Sequence, residues 1–401
     1  MSNTAEAAPP LAAAPARRAG AYTFGFLFAS ESLVRAFNAS VLSIQAHDLL
    51  GSSQKVSVLS TAVSLAVLAA TLNLPNLLRR LSARHAYFFG ITLLVTASLL
   101  IASFTLPGQA FGVFLRNPGA AVLQVMLSLY ILDNIPRDRL AETEPLRLTF
   151  SVVSWTVGPA AGVWLYTRHG PLGPQIAAIV AALVLIVFFA RLRLAEPRAQ
   201  AAVANRPYHA LANVRRFAAQ PRLRLAWIIA FGRSCFWSGL FIYGPLLMLE
   251  GGESKMAAGL LLSLSQAMLL ITFLYGRLAR HMGVRRVITL CLVLAAGFSF
   301  AAGVAGPAHP LMAGGLLLAG ALATTGLDGV GGIPFLRAVR PHEKTRMAAV
   351  YRTFIEVSEI IPGFIFALIL SLWDLGAAFM VLGCGLAVVA GYAWHYLPKS
   401  L

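Results

Sequence analysis

The chain has 401 residues, 58% of them hydrophobic and 12% charged, with 32 Lys and Arg against 15 Asp and Glu for a net charge of +17. A mean hydropathy of +0.75 excludes an ordinary water-soluble domain and implies a polytopic membrane protein, with the lipid bilayer as its first partner. Three cysteines, Cys235, Cys291 and Cys384, all lie in apolar runs; an odd count argues against a disulfide framework, and each reads as a small packing residue.

Residues 1–20, "MSNTAEAAPPLAAAPARRAG", are rich in Ala and Pro and lack the apolar core of a cleaved signal, so they read as a cytoplasmic tail and the first apolar run as a retained span. A bilayer core takes about 20 mostly apolar residues per helix. Twelve such runs follow, at 22–46, 56–78, 86–105, 110–133, 147–167, 173–190, 225–248, 256–275, 287–306, 311–336, 347–372 and 376–396. The expected fold is therefore an all-α membrane protein of twelve transmembrane helices. A basic stretch, 191–224, divides it into two six-helix halves, 21–190 and 225–401, and its "VRRFAAQPRLR" end suits the surface of the inner leaflet.

Cytoplasmic loops collect Lys and Arg. With the N-terminus inside, 25 basic residues fall on the cytoplasmic side and only Lys55, Arg168 and Lys255 outside. Both termini are thus expected in the cytoplasm. The same split accounts for most of the net charge, so no nucleic-acid partner is implied. Four basic residues are left inside spans: Arg35, Arg116, Arg233 and Arg352.

The halves echo one another. "NLLRRLSARH" (76–85) aligns with "GRLARHMGVR" (276–285) at an offset of 200, placing Arg80 opposite Arg280. "LRLTFSVVSWTVGPAAG" in the fifth span aligns with "YRTFIEVSEIIPGFIFA" in the eleventh.

Two halves, a basic central stretch and "GRLARHMGVRR" after the eighth span together resemble the major facilitator superfamily of secondary transporters, whose members carry Gly-x-Leu-Ala-Asp-Arg-x-Gly-Arg-Arg between spans 2 and 3 and a weaker copy between 8 and 9. Gly276, Leu278, Ala279, Gly283 and Arg285 match the second copy. Arg80 and Arg280 stand where the pattern has aspartate, and Asn76 and Ala83 replace the glycines of the first copy. The acid's part in holding the halves together must here be played by other groups. "SWTVGPAAG" resembles the family's Gly-Pro-x-x-Gly element of proton-coupled efflux through Gly158, Pro159 and Gly162; a generic packing kink is the plainer reading. "FLRNPGAAV", with Arg116, loosely resembles its span-4 arginine motif.

Ionisable groups at membrane depth cost about 2.5–3.5 kcal/mol on insertion scales and normally face a partner or a wet cavity. Glu31 and Arg35 lie four apart and can pair within the first span; the resemblance implies instead a link from Glu31 to Arg116 as a proton site. Arg233 has no acid within a turn or two. Either it forms a clamp with Arg35 for an anionic substrate, or Asp328 in the tenth span is its partner. Arg352 and Glu356 are an i, i+4 pair with Glu359 one turn on, and either acid is a candidate proton site. Asn38, Trp155, Trp237 and Tyr243 are candidates for the substrate pocket, though interfacial anchoring also suits the aromatics. His47 and Asp48, at the outer end of the first span, fit a gate or ordinary interfacial polarity.

No phosphate-binding glycine loop and no metal-ligand spacing is present, so no cofactor and no metal are expected. Nor is there a nucleophile, base and orienter set to suggest an enzyme. The sequence reads as a multi-pass inner-membrane secondary transporter, functional as a monomer, that exports a small organic compound by proton antiport. The leading alternative is a proton-coupled or exchange carrier of an organic anion, and a membrane enzyme or assembly factor is a remote one.

Overall fold

The first apolar run does not fold as one helix. In the computed structural model, which describes residues 20–78, 80–135, 140–192, 194, 210–340 and 343–398, it forms α1 (Ala21–Ala36) and α2 (Val41–Leu50), joined by a tightened turn at Phe37–Ser40. There Asn38 and Ala39 donate to the carbonyls three residues back, Arg35 and Ala36, instead of four. Then follow α3 (Ser53–Leu78), α4 (Ala83–Ala102), α5 (Leu106–Asn134), α6 (Leu140–His169) and α7 (Leu172–Leu192). The C-terminal part comprises α8 (Ala210–Ala218), α9 (Pro221–Glu250), α10 (Lys255–Ala267), α11 (Thr272–Met282), α12 (Val284–Ala305), α13 (Pro310–Val330), α14 (Ile333–Ala338), α15 (Lys344–Tyr351), α16 (Thr353–Ile369) and α17 (Leu375–Tyr396). Local chemistry sets several starts: Thr105, Ser254 and Asp374 each accept a backbone N–H of the following turn.

Among the described residues, ten helices are long and apolar enough to cross a membrane, against the twelve expected. The two runs that drop out are the first and the eleventh, and both are interrupted: α1 and α2 have 16 and 10 residues, and α15 and α16 meet at Arg352 with 8 and 17. The interruptions fall beside Arg35 and at Arg352, two of the four basic residues that the loops do not explain.

One core is built wholly from residues between Phe24 and Phe189. A second draws mainly on α9 to α17, with Val41, Ile44 and Val56 from the N-terminal part. A third ties α8 to the bundle: Phe217 packs with Leu223, Phe335, Val339, Met347 and Val350, and Arg216 pairs with Glu343. The segment expected to lie on the leaflet is thus a short helix with an exposed face at Val214–Arg216, and Pro221–Arg224 already belong to α9. The tail 1–19 and most of the central stretch lie outside the described residues.

The "GRLARHMGVRR" turn is built as its glycines require. Gly283 joins α11 to α12 at φ +84°, a conformation that a side chain strains, while Gly276 has open space around it. Arg80 and Arg280 are exposed. Arg285 fastens the turn to α17, its guanidinium donating to the Trp394 carbonyl at 2.5 Å and lying 4.5 Å over the Trp394 ring.

Gly158 and Gly162 have a specific job. A Cβ on Gly158 would meet the Ala36 Cβ at 2.3 Å, and one on Gly162 the Phe37 carbonyl oxygen at 1.8 Å, so α6 lies with its backbone against the break between α1 and α2. Gly162→Ala is expected to destabilise the protein by about 1–3 kcal/mol, read as a lowered unfolding temperature in detergent; an unchanged value would refute this close approach.

Candidate functional site

A cavity of about 350 Å³ lies between the N-terminal and C-terminal helices. α1 and α2 contribute Arg35 and Ser43, α3 Ser60 and Ser64, and α5 Gln109, Arg116 and Asn117. Trp155 comes from α6, Trp237 and Phe241 from α9, and Ser358 and Glu359 from α16. Among the described residues its charged lining is two guanidiniums against one carboxylate, its polar lining mostly serine, and its aromatic wall a chain of rings. Trp155 meets Phe241 edge-on at 5.7 Å, Phe241 lies 6.2 Å from Trp237, and Arg35 sits 5.6 Å over the Trp155 ring.

The break in the first span supplies the frame. Arg116 donates to the Arg35 carbonyl at 3.1 Å, Gln109 to the Leu42 carbonyl at 3.0 Å, and Ser154 to the Ala29 carbonyl at 2.9 Å. Gln175 of α7 donates to the Asn38 side chain at 2.6 Å. Four side chains from three neighbouring helices thus hold this segment: Arg116 at the last turn of α1, Ser154 and Gln109 at carbonyls within α1 and α2, and Gln175 at the Asn38 side chain in the turn.

Glu31 sits one turn behind Arg35, away from the cavity. It is 0% exposed, its carboxylate lies 3.5 Å from the Arg35 guanidinium, and neither oxygen has a hydrogen-bond partner among the described residues. The expected link from Glu31 to Arg116 is replaced by this intrahelical pair, because Arg116 is directed to the Arg35 carbonyl. Arg147 of α6, counted in the sequence as a loop charge, instead lies in the helix with its guanidinium 4.1 Å from the Phe28 ring.

The clamp expected from Arg35 and Arg233 is not what lines the cavity. Arg233 donates to Asp328 at 2.9 Å, Trp237 donates to the same carboxylate at 2.9 Å, and Arg233 lies over the Phe354 ring at 5.3 Å. Arg116 takes its place beside Arg35 in the lining. Asn38 and Tyr243 are buried and also stand outside the lining, as does Glu356; Arg352 is exposed. Glu359 faces the cavity, accepting from Ser64 at 3.4 Å.

Bonds between the N-terminal and C-terminal helices gather at the end that carries Gly51 and Gly252, opposite the chain termini. Asp48 accepts from Lys255 at 2.6 Å and from the Tyr166 hydroxyl at 2.7 Å. Ser53 donates to Glu250, and Ser57 joins the Tyr243 hydroxyl at 2.5 Å and donates to the Gly363 carbonyl at 2.8 Å. Beside Pro159, the Ala160 N–H donates to Ser263 of α10 at 3.0 Å. Tyr243, expected in the substrate pocket, belongs to this closed end, as does Asp48.

Helices stacked around a midplane cavity, with a broken span at its wall, define a secondary transporter. A family model of the Major Facilitator Superfamily matches residues 23–333, and the chain belongs to that superfamily. No curated protein matches the sequence. Among solved structures it is similar to the nucleoside transporter NupG, with 13% identity, a TM-score of 0.73, and 94% of this chain and 99% of that one covered. It is also similar to a D-xylose-proton symporter (14%, TM-score 0.74, 95% and 97% covered). A third likeness is to a POT family transporter in complex with 5-aminolevulinic acid (12%, TM-score 0.74, 95% and 96% covered). At these identities the likeness is one of fold.

Sequence reasoning missed Asn117, Gln109, Gln175 and the serines of α3 and α9. The serines gave no signal, since serine is common in apolar helices; the two glutamines did give one, being amides inside spans. Arg233→Ala is expected to cost about 1–3 kcal/mol of stability by stranding Asp328, with anionic and neutral substrates affected alike; a selective loss of anion flux would return Arg233 to the substrate site.

Proposed function

We propose that this protein is a proton-coupled carrier of a small organic anion, held in the central cavity by Arg35 and Arg116. The observation that carries this reading is the pair of guanidiniums in one lining, opposed there, among the described residues, by the single carboxylate of Glu359. Guanidinium is the side chain best suited to a carboxylate or phosphate, and it keeps its charge at membrane depth. The aromatic wall offers an apolar body to the rest of the solute. The volume suits a compound at the small end of ordinary ligand pockets.

The protein acts as a monomer of twelve spans in two halves, 21–190 and 225–401, both termini cytoplasmic, in a bacterial inner membrane and without a cofactor. Under that orientation the bonded end faces outward and the conformation is inward-facing. The halves rock about the cavity, with the Asp48, Lys255 and Tyr166 cluster as the outer closure. A second reading, export by proton antiport, is favoured by Gly158 and Gly162 against the broken span and by Glu359 in the lining, where an acid could trade a proton for a cationic or neutral solute.

Flux in proteoliposomes with an imposed pH gradient separates these readings. Acid outside is expected to drive accumulation of aromatic and aliphatic carboxylates over their uncharged amides; expulsion of preloaded solute would favour antiport. Arg35→Gln and Arg116→Gln are each expected to lower the ratio of carboxylate to amide flux by about 10- to 100-fold. An unaltered ratio in both variants would remove the clamp.

A further inference from the structure

A second hollow, of about 480 Å³, lies on the outside of the bundle, walled by Phe26 of α1 and by α7 from Val180 to Arg191. Val180, Val184, Val187 and Arg191 recur every three or four residues, so one stripe of α7 makes its floor. The three valines are about half exposed, and the rings of Phe26 and Phe188 meet edge-on at 4.7 Å along one side. The exposed stripe runs on through Ile176 and Leu172, yet neither lines the groove. It is confined to the part of α7 that ends at Leu192. Val180 and Arg191 are eleven residues apart, about 16 Å along a helix, and half of a bilayer's hydrocarbon core is about 15 Å. The groove therefore spans one leaflet, from the midplane to the headgroups, at the end where α1 starts and α7 finishes.

Arg191 stands in the last turn of α7, at the mouth of this groove. It is exposed, and among the described residues its side chain has no ion pair and no hydrogen bond. Other guanidiniums at the same end are engaged, Arg285 by Trp394 and Arg216 by Glu343. An apolar floor one leaflet deep below one unengaged cation matches a chain of hydrocarbon below a phosphate. A helix from a second copy of this chain could cover the same floor. In one membrane orientation, however, a two-fold contact here would set two Arg191 side chains against each other at the same level.

We propose that the groove holds one anionic phospholipid of the cytoplasmic leaflet, an acyl chain lying along Val180, Val184 and Val187 and the headgroup phosphate accepting from Arg191. The leaflet follows from the orientation proposed above; the binding chemistry does not depend on it. Anionic lipids are the cytoplasmic leaflet's counterpart to basic residues at helix ends. The chain supplies contact area and the phosphate supplies selectivity, since a zwitterionic headgroup brings its own cation to the same place.

The test uses the purified full-length protein, stripped of lipid in detergent, with phosphatidylglycerol as the anionic probe and phosphatidylcholine of the same chains as its zwitterionic counterpart. Bound lipid is counted by native mass spectrometry. The first phosphatidylglycerol is expected to bind one to one and about 5- to 10-fold more tightly than phosphatidylcholine. Arg191→Gln is expected to abolish that preference and Arg191→Lys to keep most of it. Val184→Trp, which fills the floor from an exposed position, is expected to weaken both lipids. Arg280→Gln, at an exposed arginine of the same end, is expected to bind as the wild type does. Each variant alters an exposed side chain, and an unchanged unfolding temperature without lipid shows that it is folded. Phosphatidylcholine bound as tightly as phosphatidylglycerol, a preference that survives Arg191→Gln, or an equal loss in Arg280→Gln overturns the headgroup site. Wild-type lipid binding by Val184→Trp overturns the groove as the place of the chain. A lipid-free dimer that Val184→Trp dissociates puts a second copy there and overturns the proposal.

Discussion

The bond from Arg116 to the Arg35 carbonyl is the constraint on which the site depends. A helix in a membrane has no water to satisfy a loosened backbone, so a break persists only where protein supplies partners. Here one arginine serves twice: it completes the backbone of the first span and places its own charge in the cavity wall. Gln109 and Ser154 hold the helices on either side of the break, at the Leu42 and Ala29 carbonyls. The three bonds fix the broken span against α5 and α6, hence where Arg35 sits, and so which side chains face the cavity.

The Gly158 and Gly162 pair makes the same break habitable from the other side. Without Cβ atoms, α6 brings its backbone against Ala36 and Phe37, a distance that any side chain would prevent. The face of α6 that carries Ala160 and Val163 meets Gly259 and Ser263 of α10. One short motif therefore joins the broken span to a helix of the C-terminal part. Such a helix is placed to carry a change at the cavity wall to its contact with α10.

Much of the architecture was legible in the sequence because lipid imposes a coarse and repetitive code of long apolar runs and basic loops. Among the described residues, ten of the twelve runs stand as long apolar helices, and the first and the eleventh do not, each being divided into two shorter helices. Hydropathy averages over a window and registers no four-residue turn. The residues of the site were less legible. Arg35, Arg116, Trp155, Trp237 and Glu359 do line the cavity, since charge and large rings at membrane depth are conspicuous. Which cation belongs to which acid was not readable: Arg233 has no acid near it in the chain, and Asp328 becomes its partner only when α9 packs on α13. Arg147 was hidden for the opposite reason, an arginine one residue inside a span edge looking like any loop charge.

The α6 crossing has a counterpart with the same kind of polar contact. At α6 and α10, a serine of one half, Ser263, accepts a backbone N–H beside Pro159. At α3 and α16, Ser57 donates to the backbone carbonyl of Gly363, beside Pro362. Each crossing thus pairs a hydroxyl with the backbone next to a proline, where the helix ladder is already interrupted. A hydroxyl can donate or accept, and when the crossing opens it can turn to its own helix or to entering water at little cost. Among the described residues, the ion pair that joins the N-terminal to the C-terminal helices, Asp48 with Lys255, stands at the rim, where both charges reach solvent once parted. Between the N-terminal and C-terminal helices, the charged contact thus stands where rehydration is available, and the exchangeable hydroxyl contacts stand deeper.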